Sequence, residues 1–518
     1  MPNKNILWID DEIDLLKMHI LFLREKGYTT ATANNGHDAL EILQEQIFDI
    51  ILLDENMPGI SGLDLLPKIK RLRPITPVVM ITKNEEEDIM DEAIGDNIDD
   101  YLLKPVNPKQ ILLSIKKNAE NKQIINDKVR QKFQSTFRAL NEQINDARSP
   151  KDWNVVYKEL VYWEMELERS NDKMLNEILI EQMTEVRNGF SKFISKNYIS
   201  WFNENEEERP PMIHEFMKKK IKPLTDAGEK VFVIVIDNLR FDQWRTIRPV
   251  IEEYMEVINE EIWYSILPTV TQYARNAFFA GLMPSEIEKR YPEYWSHDHE
   301  EGGKNKYEEK LLREFFKRYR RNVSISYEKV LENDYGVGVN ERFNRIKKSD
   351  LSVVVYNFID MLSHARTDNK MVQELAHDLS KYRRLTKTWL LNSPLFDLIK
   401  LLSEHNIRTF ITTDHGSVNI NRPVKVIGDK ETSTNLRYKS GKNLKYKKKD
   451  VFEITEPEKA GLPSYNLSQS YIFAQNNDFL AYPNNYNYYV RYYKDTFQHG
   501  GVSPDEMLIP VIELKRED

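Results

Sequence analysis

Along positions 1–120, short apolar runs alternate with stretches whose apolar residues recur every third or fourth position. The runs sit in "KNILWIDD", "YTTATANN", "FDIILLDENMPG", "PVVMITKN" and "DDYLLKPV". Five strands separated by amphipathic helices predict a parallel sheet covered on both faces. From Pro108 the pattern lengthens into helical stretches. In "DWNVVYKELVYWEMELERS" the residues Val155, Leu160, Tyr162, Trp163 and Met165 fall mostly on one helical face, which predicts core packing in a helical bundle over 121–208. The acidic "NENEEERPP" around Glu206 to Pro211 marks a boundary. Beyond it, "VFVIVIDNLR", "LSVVVYNF", "IRTFITTD" and "MLIPVIEL" predict a second α/β domain over 209–518. The expected fold class is α/β multidomain.

Composition narrows the chemistry. A chain of 518 residues exceeds one ordinary core. Its mean hydropathy of −0.60 argues against membrane burial, and it has no run of about 18 apolar residues. The acidic "WIDDE" stands where a signal peptide would be cleaved, so a cytoplasmic protein is the expectation. With no cysteine, disulfides and thiolate metal sites are excluded. Any metal must be held by His, Asp, Glu or hydroxyl oxygen. The net charge of −8 gives no global nucleic-acid signal, and no helix-turn-helix with a basic recognition helix is evident.

In the first domain Asp10, Asp11, Asp54, Thr82 and Lys104 fall at the carboxyl ends of the predicted strands, where a doubly wound sheet builds its site. Three converging carboxylates call for a hard cation such as Mg²⁺. Lys104 and the Thr82 hydroxyl are placed to hold new phosphate oxygens if one carboxylate accepts a phosphoryl group. The segments "WIDDE", "LLDENMPGISG", "MITKN" and "YLLKPV" resemble the receiver domain of two-component response regulators. That resemblance implies Asp54 as phosphoacceptor, Asp10 and Asp11 with Asp54 as ligands of one Mg²⁺, and Thr82 and Lys104 as phosphate sensors. It also implies Tyr101 as the aromatic that changes rotamer, a sensor histidine kinase as partner, and homodimerisation on phosphorylation through the face formed by the receiver's last strand and its two flanking helices.

In the second domain, strand ends supply Asp237, Asp360 with His364, Asp414 with His415, and His499 before a glycine pair. Thr271 falls near the start of a predicted helix. Two tetrahedral Zn²⁺ ions need about seven or eight such ligands. Three carboxylates and a Thr alkoxide balance two dications. Metals and a helix N-terminus would together make Thr271 a nucleophile. The ordered set Asp, Thr, Asp-x-x-x-His, Asp-His, His-Gly-Gly resembles the alkaline phosphatase superfamily in its PglZ-type branch. By that resemblance one zinc takes Asp360, His364 and His499, and the other takes Asp237, Asp414, His415 and the Thr271 oxygen. Receiver, helical middle and this domain together resemble PorX-type response regulators. That implies control of protein secretion, with an alternative sigma factor as a further partner.

A Thr nucleophile is common in nucleotide phosphodiesterases of the superfamily and departs from its sulfatases and mutases. Asn238 and Asn276 are expected as uncharged donors to a phosphate oxygen, which suits a diester. The run "RYKSGKNLKYKKKD", with Lys442 and Lys445, reads as an electrostatic funnel for an oligonucleotide or cyclic dinucleotide, with Tyr438 and Tyr446 available for stacking. The alternative for the run is a solvated loop. His297 and His299 in "YWSHDHE" read as a polar loop. The leading function is a zinc-dependent phosphodiesterase regulated by phosphorylation. Its competitor is a non-enzymatic, metal-bound docking module for a sigma factor or secretion component.

Overall fold

The computed structural model describes residues 4–46, 48–73, 76–83, 98–120, 133, 136–170, 173–203, 209–298, 300, 303–331, 333–368, 378–428, 432–465 and 468–516. It divides into two compact units, Met1–Ser135 and Thr136–Asp518.

In the first unit, β1 (Lys4–Ile9), β2 (Tyr28–Ala33), β3 (Ile50–Asp54), β4 (Val78–Thr82) and β5 (Asp100–Leu103) form a sheet in the order β2-β1-β3-β4-β5. Every pairing is parallel. Residues of β1, β3 and β4 are buried on both faces, one face packing around Leu7, Leu53 and Met80 and the other around Trp8, Leu52 and Ile81. This is why these strands read as continuous apolar runs rather than alternating ones. Residues 84–97, between β4 and β5, lie outside the described residues, so the expected dimer face is described only over β5 and the helix Pro108–Ile115.

In the second unit, β6 (Val231–Ile236), β7 (Glu256–Tyr264), β8 (Ile325–Val330), β9 (Leu351–Tyr356), β10 (Arg408–Thr412) and the C-terminal strand Leu508–Lys515 form a six-stranded mixed sheet. β8, β9, β6 and β10 run parallel. The C-terminal strand is antiparallel to β10, and β7 is antiparallel to the C-terminal strand. β6 and β9 are buried at every position. Their carboxyl ends, with that of β10, therefore open at one edge of the sheet.

The helices Pro150–Ser170 and Lys173–Asn197 belong to this second unit. Their inward face differs from the expected one: Val155 is 55% exposed, and Tyr162 and Met165 are half-buried. Trp153, Val156, Tyr157, Leu160, Val161, Trp163 and Leu167 are the buried positions. Only Leu160 and Trp163 of the expected set are in the core, because two surfaces are covered at once. Trp153 packs edge-on against Phe190, while Tyr157 meets Phe241 of the α/β domain. Charge completes the docking. Arg383 is buried between Glu164 (2.8 Å), Glu168 (2.6 Å) and Asp242 (3.0 Å). Arg187 reaches Asp505 at 3.0 Å, and Asp505 also meets Arg240 at 3.3 Å.

No helix among the described residues is long and apolar enough to cross a membrane.

Candidate active site

The three parallel strands at the sheet's centre each deliver a carboxylate at their carboxyl end. Asp237 follows β6 directly, Asp414 follows β10, and Asp360 lies in the first turn of the helix Phe358–Asp368 after β9. Asn238 takes a left-handed φ of 65°, a conformation Asn tolerates better than most residues, and this turns the chain away immediately after Asp237. Thr271 is the first residue of the helix Thr271–Ala280, so its hydroxyl stands at a helix N-terminus.

These residues gather into two adjoining triads. Ligand atoms of Asp237, Asp414 and His415 lie within 4.8 Å of one another, as do those of Asp360, His364 and His499. His415 Nε2 is 3.8 Å from Asp237 Oδ1 and 3.6 Å from Asp414 Oδ2. In the second triad Asp360 lies 3.5 Å from both His364 Nε2 and His499 Nε2. The triads share a wall, because the His415 and His499 rings stack at 4.3 Å. The Thr271 hydroxyl sits 3.4 Å from Asp237 Oδ1 and 3.2 Å from His415 Nε2.

The electrostatics leave this cluster short of positive charge. Burial drives the Asp237 carboxyl far above the ordinary carboxylate range, against the pull of Arg275 and with the push of Asp414 and Asp360. Asp414 is also buried, but His415 and Arg275 hold it low. Asp360 is held low in spite of burial by its bond to His499 and by the neighbouring imidazoles. Burial pushes His415 down to about 4, so its ring is neutral and its Nε2 lone pair is available. Both buried imidazoles turn Nδ1 to a backbone carbonyl, His415 to Gly416 at 3.1 Å and His499 to Thr269 at 3.1 Å. A carbonyl only accepts, so Nδ1 carries a proton in each ring, and Nε2 faces Asp237 and Asp414 in His415 and Asp360 in His499. Asp414 Oδ2 is buried with no hydrogen-bond partner. Two cations fit this donor set, one per triad.

The turn that presents His499 is built from glycine and a buried ion pair. Gly500 adopts φ +125°, which side chains rarely accept. A Cβ on Gly501 would meet the Ala474 carbonyl at 2.5 Å and Arg437 Nη2 at 2.9 Å. Arg437, fully buried, grips Glu506 at 2.5 and 3.1 Å. Glu506 in turn accepts from the Gly501 amide at 2.9 Å and the Ser503 hydroxyl at 2.6 Å.

In the first unit, Asp10, Asp11 and Asp54 likewise bring ligand atoms within 4.8 Å. Lys104 Nζ lies 2.8 Å from Asp54 Oδ1 and 3.2 Å from Asp10 Oδ2. Burial raises the Asp54 pKa, and Asp10 and Asp11 add to the rise while Lys104 opposes it. Thr82 ends β4 and its hydroxyl donates to Glu55. Tyr101 on β5 is 47% exposed.

Residues 216–514, more than half of the chain, match the family described as the BREX system PglZ alkaline phosphatase-like domain. The chain belongs to that family. Residues 6–116 match the response regulator receiver domain, and residues 123–202 match the PorX response regulator linker domain. The chain is thus a response regulator with a PglZ-type domain, in the PorX-type arrangement. Its receiver is similar to the alginate biosynthesis transcriptional regulatory protein AlgB of Pseudomonas putida, 36% identical over 119 residues, 23% of this chain and 27% of that protein. It is also similar to the transcriptional regulatory protein ZraR of Escherichia coli K12, 36% identical over 115 residues, 22% of this chain and 26% of that protein. The chain thus spans about a quarter of the length of these relatives. A CheY-like receiver domain from Methanospirillum hungatei is 28% identical, with 23% of this chain and 95% of that one covered and a TM-score of 0.22.

Several residues of the PglZ-type site carry no expected role from sequence. Arg275 lies one helical turn after Thr271, 2.8 Å from Asp237 and 2.6 Å from Glu308. Its i,i+4 spacing from Thr271 was a readable signal; the buried Glu308, 33 residues further on, was not. Asp298 accepts from Tyr273 (3.2 Å), Tyr438 (3.1 Å) and Ser440 (2.8 Å), which fastens the polar loop of His297. His299 lies outside the described residues.

The expected phosphate donors are placed otherwise. Asn238 Nδ2 donates to Ser363 Oγ (3.3 Å) and Asp360 Oδ1 (3.4 Å), and Asn276 Nδ2 donates to the carbonyls of Gln272 (2.8 Å) and Lys304 (3.2 Å). The basic run is not one patch. Arg437 and Lys439 are buried, whereas Lys442 is half-buried and Lys445, Lys447, Lys448 and Lys449 are exposed. Tyr438 is not available for stacking: it is 4% exposed, its hydroxyl tied to Asp298. Tyr446 is half-buried, with its hydroxyl on Glu453.

Proposed function

We propose that the PglZ-type domain is a zinc-dependent phosphodiesterase acting on nucleotide or oligonucleotide diesters, and that the receiver regulates it. The observation that carries this reading is the Thr271 hydroxyl at a helix N-terminus, between Asp237 and His415 and beside the second triad. Asp237, Asp414, His415 and the Thr271 oxygen would hold one zinc, and Asp360, His364 and His499 the other. Bound zinc would supply Lewis-acid neutralisation of charge at the phosphoryl oxygens and favour the ionised Thr hydroxyl. Thr271 Oγ attacks phosphorus, the alcohol leaving group departs and takes up a proton, and water then cleaves the phosphothreonine. The helix N-terminus favours negative charge on that oxygen. Arg275 fixes the orientation of Asp237. His364, 61% exposed, stands at the open side of the site, where substrate enters.

The zinc-loaded protein is expected to hydrolyse a chromogenic phosphodiester faster than the matching monoester; the reverse preference overturns the diesterase reading. Neutralising Lys442, Lys445 and Lys447 to Lys449 together is expected to raise KM for oligonucleotides several-fold, more at low salt than at high. An unchanged KM returns the run to a solvated loop.

A receiver implies a sensor kinase as phosphoryl source. We infer that phosphorylation of Asp54, held with Mg²⁺ at Asp10 and Asp11 and sensed through Lys104, Thr82 and Tyr101, drives homodimerisation. Beryllofluoride with Mg²⁺ is expected to shift the mass in light scattering from monomer toward dimer, and Asp54→Ala to block the shift. An identical mass with and without the mimic removes dimerisation as the switch. Control of protein secretion, with a sigma factor as partner, would be the output of this regulation.

A further inference from the structure

A second cavity in the PglZ-type domain, of about 730 Å³, shares no lining residue with either metal triad. Leu436 and Leu480 supply apolar wall, and Tyr482, Tyr489 and Tyr493 supply rings. Lys439 lines it too, although only 1% of that residue is exposed. The strand Tyr438–Gly441 explains the placement. Tyr438 and Ser440 both reach Asp298, so they share one face of the strand, and the intervening Lys439 takes the opposite face.

The Lys439 ammonium is poorly compensated. Its Nζ donates to the Ser433 carbonyl at 3.0 Å and lies 4.4 Å from the centre of the Tyr482 ring. Among the described residues no carboxylate pairs with it, and burial alone acts on its charge. Burial pushes its pKa down to about 7. A lysine buried without a counter-ion costs stability, so the position is best explained by an anion that arrives from outside. The tyrosines define the rest of that ligand. Tyr489, 42% exposed, and Tyr493 stack in parallel on the helix Tyr486–Tyr493 at the cavity, a surface suited to a flat ring. A volume of this size lies in the range of small-ligand pockets. It is too large for a bare inorganic anion to fill.

We propose that this cavity is a second ligand site that binds a nucleotide unit, its phosphate paired with Lys439 and its base against the tyrosines. The unit is either a free nucleoside monophosphate or the terminal nucleotide of an oligonucleotide. The proposal does not depend on the phosphodiesterase reading.

The test is calorimetric titration of the full chain with AMP and with a phosphorothioate tetranucleotide, alongside thermal melting. Lys439→Met is expected to weaken AMP binding at least about ten-fold, the scale of one charge-assisted hydrogen bond. It should also raise the melting temperature of the ligand-free protein and abolish the AMP-induced shift. Tyr482→Leu keeps the lysine and should weaken AMP several-fold, and Asp360→Ala should leave AMP binding unchanged. Tighter binding of the tetranucleotide, with the same loss in Lys439→Met, makes an oligonucleotide end the ligand. Equal or weaker binding makes it the free mononucleotide. AMP affinity lost in Asp360→Ala but kept in Lys439→Met would place the nucleotide at the metal triads and overturn the proposal. A lower ligand-free melting temperature in Lys439→Met would overturn it as well, since the ammonium would then be internally paired. No AMP binding to the wild-type chain does the same.

Discussion

Replacing Thr271 by alanine is expected to lower phosphodiester turnover by at least about 10⁴-fold, the scale on which removal of a covalent nucleophile acts. The loss should fall on kcat. The other six proposed ligands, Asp237, Asp414, His415, Asp360, His364 and His499, remain in place, so most bound zinc should remain as well. Among the described residues the hydroxyl makes two long contacts, to Asp237 at 3.4 Å and His415 at 3.2 Å. Folding stability should therefore change by less than about 1 kcal/mol, as for loss of one weak hydrogen bond. Turnover and metal content measured on one preparation separate the roles. Near-wild-type turnover with full zinc would remove Thr271 from the chemistry. Loss of zinc in proportion to activity would reduce it to a ligand.

The second large effect is expected at a distance from the reacting atoms. Arg437→Ala should destabilise the protein by about 3–5 kcal/mol, the cost of leaving a buried charge without its partner. Glu506, fully buried, would retain only the Gly501 amide and the Ser503 hydroxyl among its present partners. Both belong to the turn that follows His499. Arg437→Ala should therefore also weaken zinc at Asp360, His364 and His499 more than at the other triad. Denaturant unfolding of the metal-free protein reads the first effect, and zinc competition with a chelator reads the second. A stability loss below about 1 kcal/mol would show that the pair is not what holds this turn.

Much of the architecture is legible in sequence because its central strands are buried on both sides. "VFVIVI" and "LSVVVY" are apolar at nearly every position, and each is followed within four residues by a carboxylate at the strand's carboxyl end. The two triads are legible for the same reason: parallel strands bring their ends together whatever the sequence separation. Residues that act through distant partners were not. Arg437 sits in a run of lysines and reads as surface charge, but Glu506, 69 residues away, makes it a buried one. Lys439, two positions on, is buried for a different reason and lines a cavity. Glu506 did leave a trace in the Ser-x-x-Glu spacing of "SPDE", a capping signature that gives no hint of Arg437. The helical middle shows the same limit. A single-face reading selects Val155, which is exposed. The true contacts include Arg383 with Glu164 and Glu168, ion pairs spanning more than 200 residues that leave no local period.

The central claim, a two-metal phosphodiesterase, is tested most directly by titrating chelator-treated protein with zinc while following turnover of a chromogenic phosphodiester. Two triads of clustered ligands, one fully buried and one open at His364, with too little positive charge predict no turnover without metal and a rise to a plateau at about two equivalents per chain. Full turnover in the metal-free protein, or none at any zinc level with both equivalents bound, would contradict the account.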